Sequence, residues 1–305
     1  MKLRLGPNGA HLFDRFSGLN VLLDELRPTE ASWSTSPRQV SIALTNVCDL
    51  HCGYCYAPKH KASLRTDQVL RWLKELDTEG CLGIGFGGGE PILHPDFVNI
   101  CKRVAGETQL AVTFTTHGHR LTPQLVESLK GSIHFARISI DGVGSTYEKQ
   151  RGKPFAHLLR GMDLIESLSP FGINVVVNEH TVTELDALSE LAHKVGASEL
   201  LLLPQQATTM VPSIDGVVGR ALQEWVFNYK GKVRLAVSEA GASGLPTCDP
   251  LPDERGLQAY AHIDASGMLR ESSYSPIGAK IGGAGVLSAL ERLRNTFEIQ
   301  REAQS

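Results

Sequence analysis

The chain has 305 residues, 42% of them hydrophobic, and its 30 Lys and Arg against 33 Asp and Glu give a formal net charge of −3. This length suits one α/β barrel domain with appendages, or two small domains. The charge lacks the basic excess typical of nucleic-acid binding, and no apolar run is long enough to span a bilayer, so we expect no nucleic-acid and no membrane partner. Six cysteines without an apolar signal stretch favour a reducing compartment, and we expect a cytoplasmic protein.

Residues 1–39 are predicted to form a small N-terminal hairpin followed by a linker. Two short apolar segments, at residues 11–14 and 20–26, flank Phe16-Ser-Gly-Leu in a hairpin pattern. Residues 28–37 are rich in Ser, Thr and Pro, which is typical of a connector. We interpret the hairpin as an added sheet edge. The alternative is a docking edge, where an extended peptide would add a strand by backbone pairing.

From residue 40 to residue 210 the pattern alternates strands and helices. The predicted strands are residues 40–47, 82–86, 110–116, 135–141, 173–178 and 199–203. The predicted helices cover residues 66–79, a stretch after Pro95, a stretch from Thr122, and residues 155–168, 184–195 and 216–229. Parallel strands need such crossovers, so six β–α units predict a parallel α/β sheet. Length alone leaves open whether that sheet is flat or curled into a partial barrel.

Polar side chains alternate with apolar ones in several of these strands, which puts them on one face of the sheet. They are Thr113, Thr115 and His117 in the third strand, Arg137, Ser139 and Asp141 in the fourth, and Asn174 and Asn178 in the fifth. A parallel strand buried on both faces normally has continuous hydrophobic residues. The pattern therefore predicts a polar cavity inside the sheet, suited to a nucleotide-like cofactor.

Residues 211–305 are predicted to be a C-terminal α+β extension. After a helix at residues 216–229, its elements are a strand at residues 233–237, a hairpin at residues 261–270 that turns at Ser266-Gly267, and a closing helix at residues 285–294.

Three cysteines, Cys48, Cys52 and Cys55, crowd into the polar loop after the first of the alternating strands. Thiolates bind soft metals and iron–sulfur clusters, and a four-iron cluster with three protein ligands leaves one iron open. The spacing Cys-x3-Cys-x-aromatic-Cys, with Tyr54 in the aromatic position, resembles the signature of the radical S-adenosylmethionine (radical SAM) enzymes. The resemblance implies one 4Fe–4S cluster on these cysteines, SAM on the open iron, and a partial (β/α)6 barrel over residues 40–210.

Two further motifs resemble those of the same family. Gly87-Gly-Gly-Glu90 follows the second strand, and the resemblance implies that Gly88, Gly89 and Glu90 bind the amino group of SAM, because glycine permits close approach and Glu90 supplies an acceptor. Ser139-Ile-Asp-Gly ends the fourth strand and is followed by Arg151-Gly. The predicted SAM contacts are Tyr54, Gly88, Gly89, Glu90, Thr115, Ser139, Asp141, Arg151 and Asn178, with Arg151 facing the SAM carboxylate.

Two other interpretations of these motifs stay open in the sequence. Residues 83–88 also match Gly-x-Gly-x-x-Gly, but a dinucleotide fingerprint needs a helix that opens at the glycines. His117-Gly-His119 resembles a zinc pair, for which Asp141 or His180 could supply further ligands. The radical SAM resemblance instead makes Thr116-His117-Gly118 a turn in which His117 replaces the usual Asn.

We expect different roles for the other three cysteines. Cys81 and Cys101 lie in apolar patterns and are predicted to be core residues. The tail resembles the SPASM or twitch extension of related enzymes, yet Cys248 is its only cysteine, and Ser272-Ser273-Tyr274 stands where a cluster ligand is expected. We therefore predict one cluster only, with Cys248, Tyr260 and Tyr274 as candidates to act on a substrate radical.

The resemblance implies a radical SAM enzyme that cleaves SAM reductively to a 5′-deoxyadenosyl radical for hydrogen abstraction. The hairpin, the Ser-Ile-Asp-Gly and Arg-Gly pair and the cluster-free tail resemble enzymes that modify ribosomally made peptides, so a peptide or protein is the expected substrate. The alternatives are a small molecule, such as a nucleoside, sugar or amino acid, and a non-catalytic iron–sulfur scaffold. A flavodoxin- or ferredoxin-type protein is the expected reductant, and activity is expected to be oxygen-sensitive.

Overall fold

A computed structural model describes residues 1–238, 245, 251 and 253–302, and Cys248 lies outside these residues. The N-terminal residues form a three-stranded antiparallel sheet of β1 (Lys2–Gly6), β2 (Gly9–Phe13) and β3 (Asn20–Leu23). The predicted hairpin is confirmed as β2 and β3, and β1 is a further strand.

Arg4, on β1, holds this sheet to the rest of the protein. Its side chain is 2% exposed, and its Nε donates to Glu254 at 2.7 Å. Its Nη atoms donate to the carbonyl oxygens of Ser36, Gly80 and Gln258 at 3.0–3.1 Å. A buried charge is tolerated only when it is paired and hydrogen-bonded, so Arg4 fixes the N-terminal sheet in place.

The main sheet has ten strands among the described residues. They are β4 (Gln39–Thr45), β5 (Gly83–Gly88), β6 (Ala111–Thr116), β7 (Phe135–Ser139), β8 (Phe171–Val177), β9 (Glu199–Pro204), β10 (Arg234–Val237), β11 (Tyr260–Ile263), β12 (Met268–Arg270) and β13 (Gly278–Lys280). Their order is β10-β9-β8-β7-β6-β5-β4-β11-β12-β13. Strands β4 to β10 run parallel, β11 joins β4 in parallel, and β12 and β13 add antiparallel pairs.

This arrangement confirms the predicted mixed α/β fold with a parallel sheet, which is open because β10 and β13 lie at opposite edges of its described strands. Two parallel strands, β10 and β11, extend the predicted six. The C-terminal residues thus continue the sheet of the core, and the division of the chain at residues 39 and 210 stays a prediction.

Eight α-helices occur in the described residues. They are α1 (Thr66–Thr78), α2 (Phe97–Glu107), α3 (Pro123–Leu129), α4 (Gly144–Arg151), α5 (Phe155–Glu166), α6 (Leu185–Lys194), α7 (Gly216–Asn228) and α8 (Gly285–Glu302). None of them has both the length and the apolar character that a bilayer-spanning helix needs. Thr122 caps α3 by accepting from the Leu125 N–H at 3.2 Å, with Pro123 in the first turn.

The two faces of the main sheet differ as the alternation predicts. Val112, Phe114 and Ile138 are at most 1% exposed, in the core shared with the helices. On the opposite face Thr113, Thr115, Arg137 and Ser139 are half-buried. The helices therefore cover one face of the sheet, and the opposite face, here called the interior face, carries half-buried polar groups.

Candidate active site

The three cysteines lie in a loop, residues 46–62, that leaves β4 and returns beside it. The Asn46 N–H donates to the Ala62 carbonyl, and the Leu64 N–H donates to the Leu44 carbonyl, both at 2.9 Å. This closed loop, here called the cysteine loop, brings Cys48, Cys52 and Cys55 to the carboxyl ends of the parallel strands. All three are free thiols; Cys52 is buried and the other two are half-buried.

Gly88 and Gly89, at the end of β5, pack directly against the backbone of the cysteine loop and of the end of β4. The Gly89 N–H donates to the Thr45 carbonyl at 2.7 Å, and the Glu90 N–H donates to the Val47 carbonyl at 2.9 Å. A Cβ on Gly88, whose φ is +122°, would lie 2.2 Å from the Thr45 oxygen, and a Cβ on Gly89 would lie 2.4 Å from the Val47 oxygen. Only glycine fits at both positions, so this turn fixes the start of the cysteine loop.

Glu90 lies in the same turn with its carboxylate buried and 1% exposed. It accepts from the Thr116 hydroxyl at 2.8 Å and from the backbone N–H of His117 and Ile92 at 3.0 and 3.4 Å. Burial raises the pKa of Glu90 to about 7. Its polar contacts carry no full positive charge, so an ammonium group would complete the site.

Three predicted site residues from different places in the chain, Tyr54, Asp141 and Arg151, meet at the Asp141 carboxylate. This carboxylate is fully buried and accepts from the Tyr54 hydroxyl, from Arg151 at 2.5 Å and from the Val176 N–H at 2.7 Å. Arg151 also lies 3.8 Å from Cys52 Sγ and 5.8 Å from the centre of the Tyr54 ring. The network therefore places a fixed positive charge at the cysteine loop.

The remaining predicted contacts fall into two groups. Thr115 and Ser139 are half-buried on the interior face, and no side-chain hydrogen bond of either occurs within the described parts of the chain. Asn178 lies just beyond β8 rather than in it. Its side chain accepts from the N–H groups of His180 and Thr181 at 3.0 and 3.2 Å and donates to Gln205 at 3.2 Å. Asn178 therefore orders a turn at the edge of the site.

Asp49, which the sequence analysis missed, pairs with His117. His117 Nε2 lies 2.9 Å from Asp49 and 3.2 Å from Glu90, while Nδ1 accepts from the His119 N–H at 3.1 Å. Burial lowers the pKa of His117 to about 4, so the ring is neutral, with its proton on Nε2. Arg120 holds the other oxygen of Asp49 at 2.9 Å. The sequence signal that could have indicated Asp49 as a site residue is its position between Cys48 and Cys52.

The structure supports neither of the two alternative interpretations, the dinucleotide fingerprint and the zinc pair. After the glycines of β5 a three-residue 3₁₀ helix (Pro91–Leu93) precedes α2, which begins at Phe97, so no α-helix opens at the glycines. The His119 ring bonds the Tyr147 hydroxyl at 2.7 Å, and His180 is 57% exposed. In the described residues, the ligand atoms close enough to share a metal ion are those of Cys48, Asp49 and His117, which includes a cysteine of the loop.

The residues present fit an iron–sulfur cluster with SAM. The Leu50 N–H lies 3.4 Å from Cys48 Sγ, and Arg151 lies beside Cys52, so both thiolates have donors that stabilise negative charge. Arg151 Nε is buried without a hydrogen-bond partner in the described residues, which leaves a donor for a bound carboxylate. Burial raises the pKa of the Cys48 thiol to about 11, so metal binding must displace its proton. Cys81 and Cys101 are fully buried core residues, as predicted.

Comparisons with known proteins agree with this geometry. The family model of the radical SAM superfamily matches residues 42–192. The AdoMet-dependent heme synthase of Methanosarcina barkeri is 31% identical over 173 residues, which cover 54% of this chain and 49% of the synthase. The PqqA peptide cyclase of Ruegeria pomeroyi is 28% identical over 183 residues, which cover 56% of this chain and 48% of the cyclase. The chain thus spans about half the length of the curated relatives it matches.

The fold is shared more widely than the sequence. The crystal structure of Streptococcus suis SuiB bound to precursor peptide SuiA matches with a TM-score of 0.74 at 13% identity, over 95% of this chain and 86% of SuiB. Radical SAM proteins use a 4Fe–4S cluster and SAM, the groups that the cysteine loop and the Glu90 turn fit. Through residues 42–192, this chain belongs to the radical SAM superfamily.

Proposed function

We propose that this protein is a radical SAM enzyme that modifies a ribosomally made peptide or protein. The observation that carries the proposal is the contact between the cysteine loop and the Gly88-Gly89-Glu90 turn. It sets three thiols and a buried, uncompensated carboxylate at the same end of the parallel sheet. Binding sites of parallel α/β sheets lie at this end.

Within this proposal, Cys48, Cys52 and Cys55 hold the cluster, Glu90 accepts the SAM ammonium, and Arg151 Nε donates to the SAM carboxylate. When bound, the cluster and SAM supply a 5′-deoxyadenosyl radical that abstracts a hydrogen atom from the substrate. The contribution of the protein is to orient these groups and to exclude water from them.

Other residues act by positioning. Asp141 holds both Arg151 and Tyr54 through its Oδ2 atom, while its Oδ1 atom accepts from the Val176 N–H, and this keeps the guanidinium at the cysteine loop. Thr115 and Ser139 have free hydroxyls on the interior face and are proposed to contact the ribose of SAM. Asn178 stays a predicted SAM contact, since its side chain would have to release part of its turn to bind a ligand.

The peptide substrate is supported by two relatives. The PqqA peptide cyclase resembles residues within the core, and SuiB, whose crystal structure holds a precursor peptide, shares the fold over nearly the whole chain. A small-molecule substrate is the second candidate, because the heme synthase is 31% identical over a stretch of similar length. We also propose a flavodoxin- or ferredoxin-type reductant and a reducing compartment such as the cytoplasm, because the cluster thiolates must stay reduced.

The test begins with anaerobic reconstitution with iron and sulfide, followed by incubation with SAM and dithionite. The parent is expected to bind about four irons per chain and to release 5′-deoxyadenosine. Cys52→Ala should lose both. Cys101→Ala is the matched control, because that thiol is buried in α2 outside the loop. A parent that binds no cluster, or that never cleaves SAM, would favour the non-catalytic scaffold.

The substrate is tested separately. Short peptides encoded beside the gene are added to the reconstituted enzyme with SAM and reductant, and their mass is compared with that of a mock reaction. A mass change that requires both SAM and Cys52 supports peptide modification. If SAM is cleaved but no peptide changes, the small-molecule candidate takes precedence.

A further inference from the structure

Three hydrogen-bonded polar side chains connect β4 to β11 on the interior face of the sheet. Ser41 on β4 pairs in register with His262 on β11, so both side chains share one face. Ser41 Oγ lies 2.5 Å from the Tyr260 hydroxyl and 2.6 Å from His262 Nδ1. The alternating residues of both strands are fully buried on the opposite face: Val40, Ile42, Ala261 and Ile263. The three polar side chains therefore lie on the interior face.

Two directions of hydrogen bonding fit these distances, and we assign the one in which Tyr260 donates, because a phenolic hydroxyl is more acidic than an aliphatic one and is the stronger donor. Within the described residues, the Tyr260 hydroxyl has Ser41 as its hydrogen-bond partner, and in this direction it donates to Ser41. Ser41 has a single proton, which it then donates to His262 Nδ1. Burial lowers the pKa of His262 to about 4, so the ring is neutral at pH 7. A neutral ring that accepts at Nδ1 carries its proton on Nε2.

The ring of His262 lies next to the cysteine loop. The His262 ring is 6.4 Å from the ring of Tyr56, which follows Cys55 directly, and Tyr56 is 5.5 Å from Tyr274. Tyr56 and Tyr274 are 39% and 44% exposed, so the surface beside the His262 ring is open to solvent. His262 Nε2 has no hydrogen-bond partner in the part of the chain that the structure describes.

We propose that His262 Nε2–H is a substrate-binding donor that takes a carbonyl or carboxylate oxygen of the peptide. This rests on the proposed function for the identity of the ligand. Ser41 and Tyr260 are positioning residues, because with Tyr260 as the donor the ring presents N–H, and not a lone pair, at Nε2. The site thus selects an acceptor group and holds it beside the cysteine loop.

The experiment is ¹⁵N NMR of the reconstituted protein with labelled histidine. The parent is expected to show His262 protonated on Nε2. Acetate and N-methylacetamide serve as carboxylate and carbonyl probes, and each should shift the His262 Nε2 signal saturably. His157, exposed on α5, is the internal reference. Tyr260→Phe leaves Ser41 free to reverse its donation, so the Nε2–H population should fall and both probes should bind about 2- to 10-fold more weakly.

A parent ring protonated on Nδ1 would overturn the proposal. So would probes that shift His262 no more than His157, or a Tyr260→Phe variant with unchanged tautomer and affinity. Neither a peptide nor SAM cleavage enters this readout. A failure here therefore leaves the proposed enzyme activity standing, and a failure to form 5′-deoxyadenosine leaves the donor assignment standing.

Discussion

Replacing Gly89 by Ala tests whether the turn after β5 holds the cysteine loop. The new Cβ would lie 2.4 Å from the Val47 carbonyl oxygen and 2.7 Å from the Asn46 carbonyl oxygen. Carbon and oxygen atoms normally approach to about 3.3 Å. Because the obstacles are backbone atoms, the loop itself has to retreat by about 0.6 to 0.9 Å.

That retreat weakens two backbone hydrogen bonds, from Gly89 to Thr45 and from Glu90 to Val47. Overpacking costs about 1–3 kcal/mol and the two weakened hydrogen bonds together up to about 2 kcal/mol, so we expect a loss of about 1–5 kcal/mol in the free energy of unfolding. The displaced loop should also bind less iron on reconstitution. Urea unfolding of the metal-free protein and iron analysis measure the two effects.

Gly87→Ala is the matched control in the same motif, since a Cβ there has no atom within 4 Å. Without SAM present, it should unfold at the same urea concentration as the parent or slightly higher, and it should bind the same amount of iron. Equal unfolding midpoints and equal iron contents for Gly87→Ala and Gly89→Ala would refute the reasoning.

Three further predictions concern stability and its pH dependence. Arg4→Met should lower the free energy of unfolding by about 3–5 kcal/mol, because it removes one of the two arginines that pair with buried Glu254 and takes the donors of Arg4 from three carbonyl oxygens, whereas Arg65→Met, at an exposed ion pair, should cost less than about 1 kcal/mol; similar urea midpoints would contradict the anchoring role. Tyr54→Phe should cost about 1–3 kcal/mol by removing a donor from buried Asp141, measured by thermal unfolding, and no change would show that this bond adds nothing. The ordinary pKa of Glu90 is 4.5 and the folded value is about 7, so the unfolded chain deprotonates first. The metal- and SAM-free protein should therefore lose stability as the pH rises from about 4.5 to about 7, by up to about 1.4 kcal/mol per pH unit. Glu90→Gln should remove this slope in urea titrations across that range, and a slope that persists in the variant would assign it to other groups.

Much of the fold could be predicted because its signals are local. The apolar repeat Val69, Leu70, Leu73 and Leu76 gave α1 to within one residue at its end, and six alternating strands gave the parallel sheet. Helix α4 was missed because its eight residues are mostly polar and have no apolar repeat. Arg151, in its last turn, was found only through the Arg-Gly resemblance.

The pairing of β11 with β4 could not be predicted, since nothing local in Tyr260-Ala-His-Ile indicates a parallel partner on the far side of the core. The contacts at the site between residues that are distant in the sequence could not be predicted either. The cysteines and Glu90 were found from spacing, whereas the Asp49–His117 pair and the Ser41–His262 bond join positions that are 68 and 221 residues apart. Such contacts depend on topology, which a short motif does not encode.

The pairing of β11 with β4 also bears on the order of events during synthesis. The strand that carries the cysteine loop emerges early, but its second neighbour contains Tyr260, which is 219 residues beyond Ser41. Until then one edge of β4 has unpaired backbone groups, which invite pairing with another chain. The ribosome adds about 5–20 residues per second, so this edge stays open for about 10 seconds or more of translation. We expect that iron delivered before β11 arrives would meet an unfinished strand, and that cells producing the protein quickly would accumulate aggregates lacking iron.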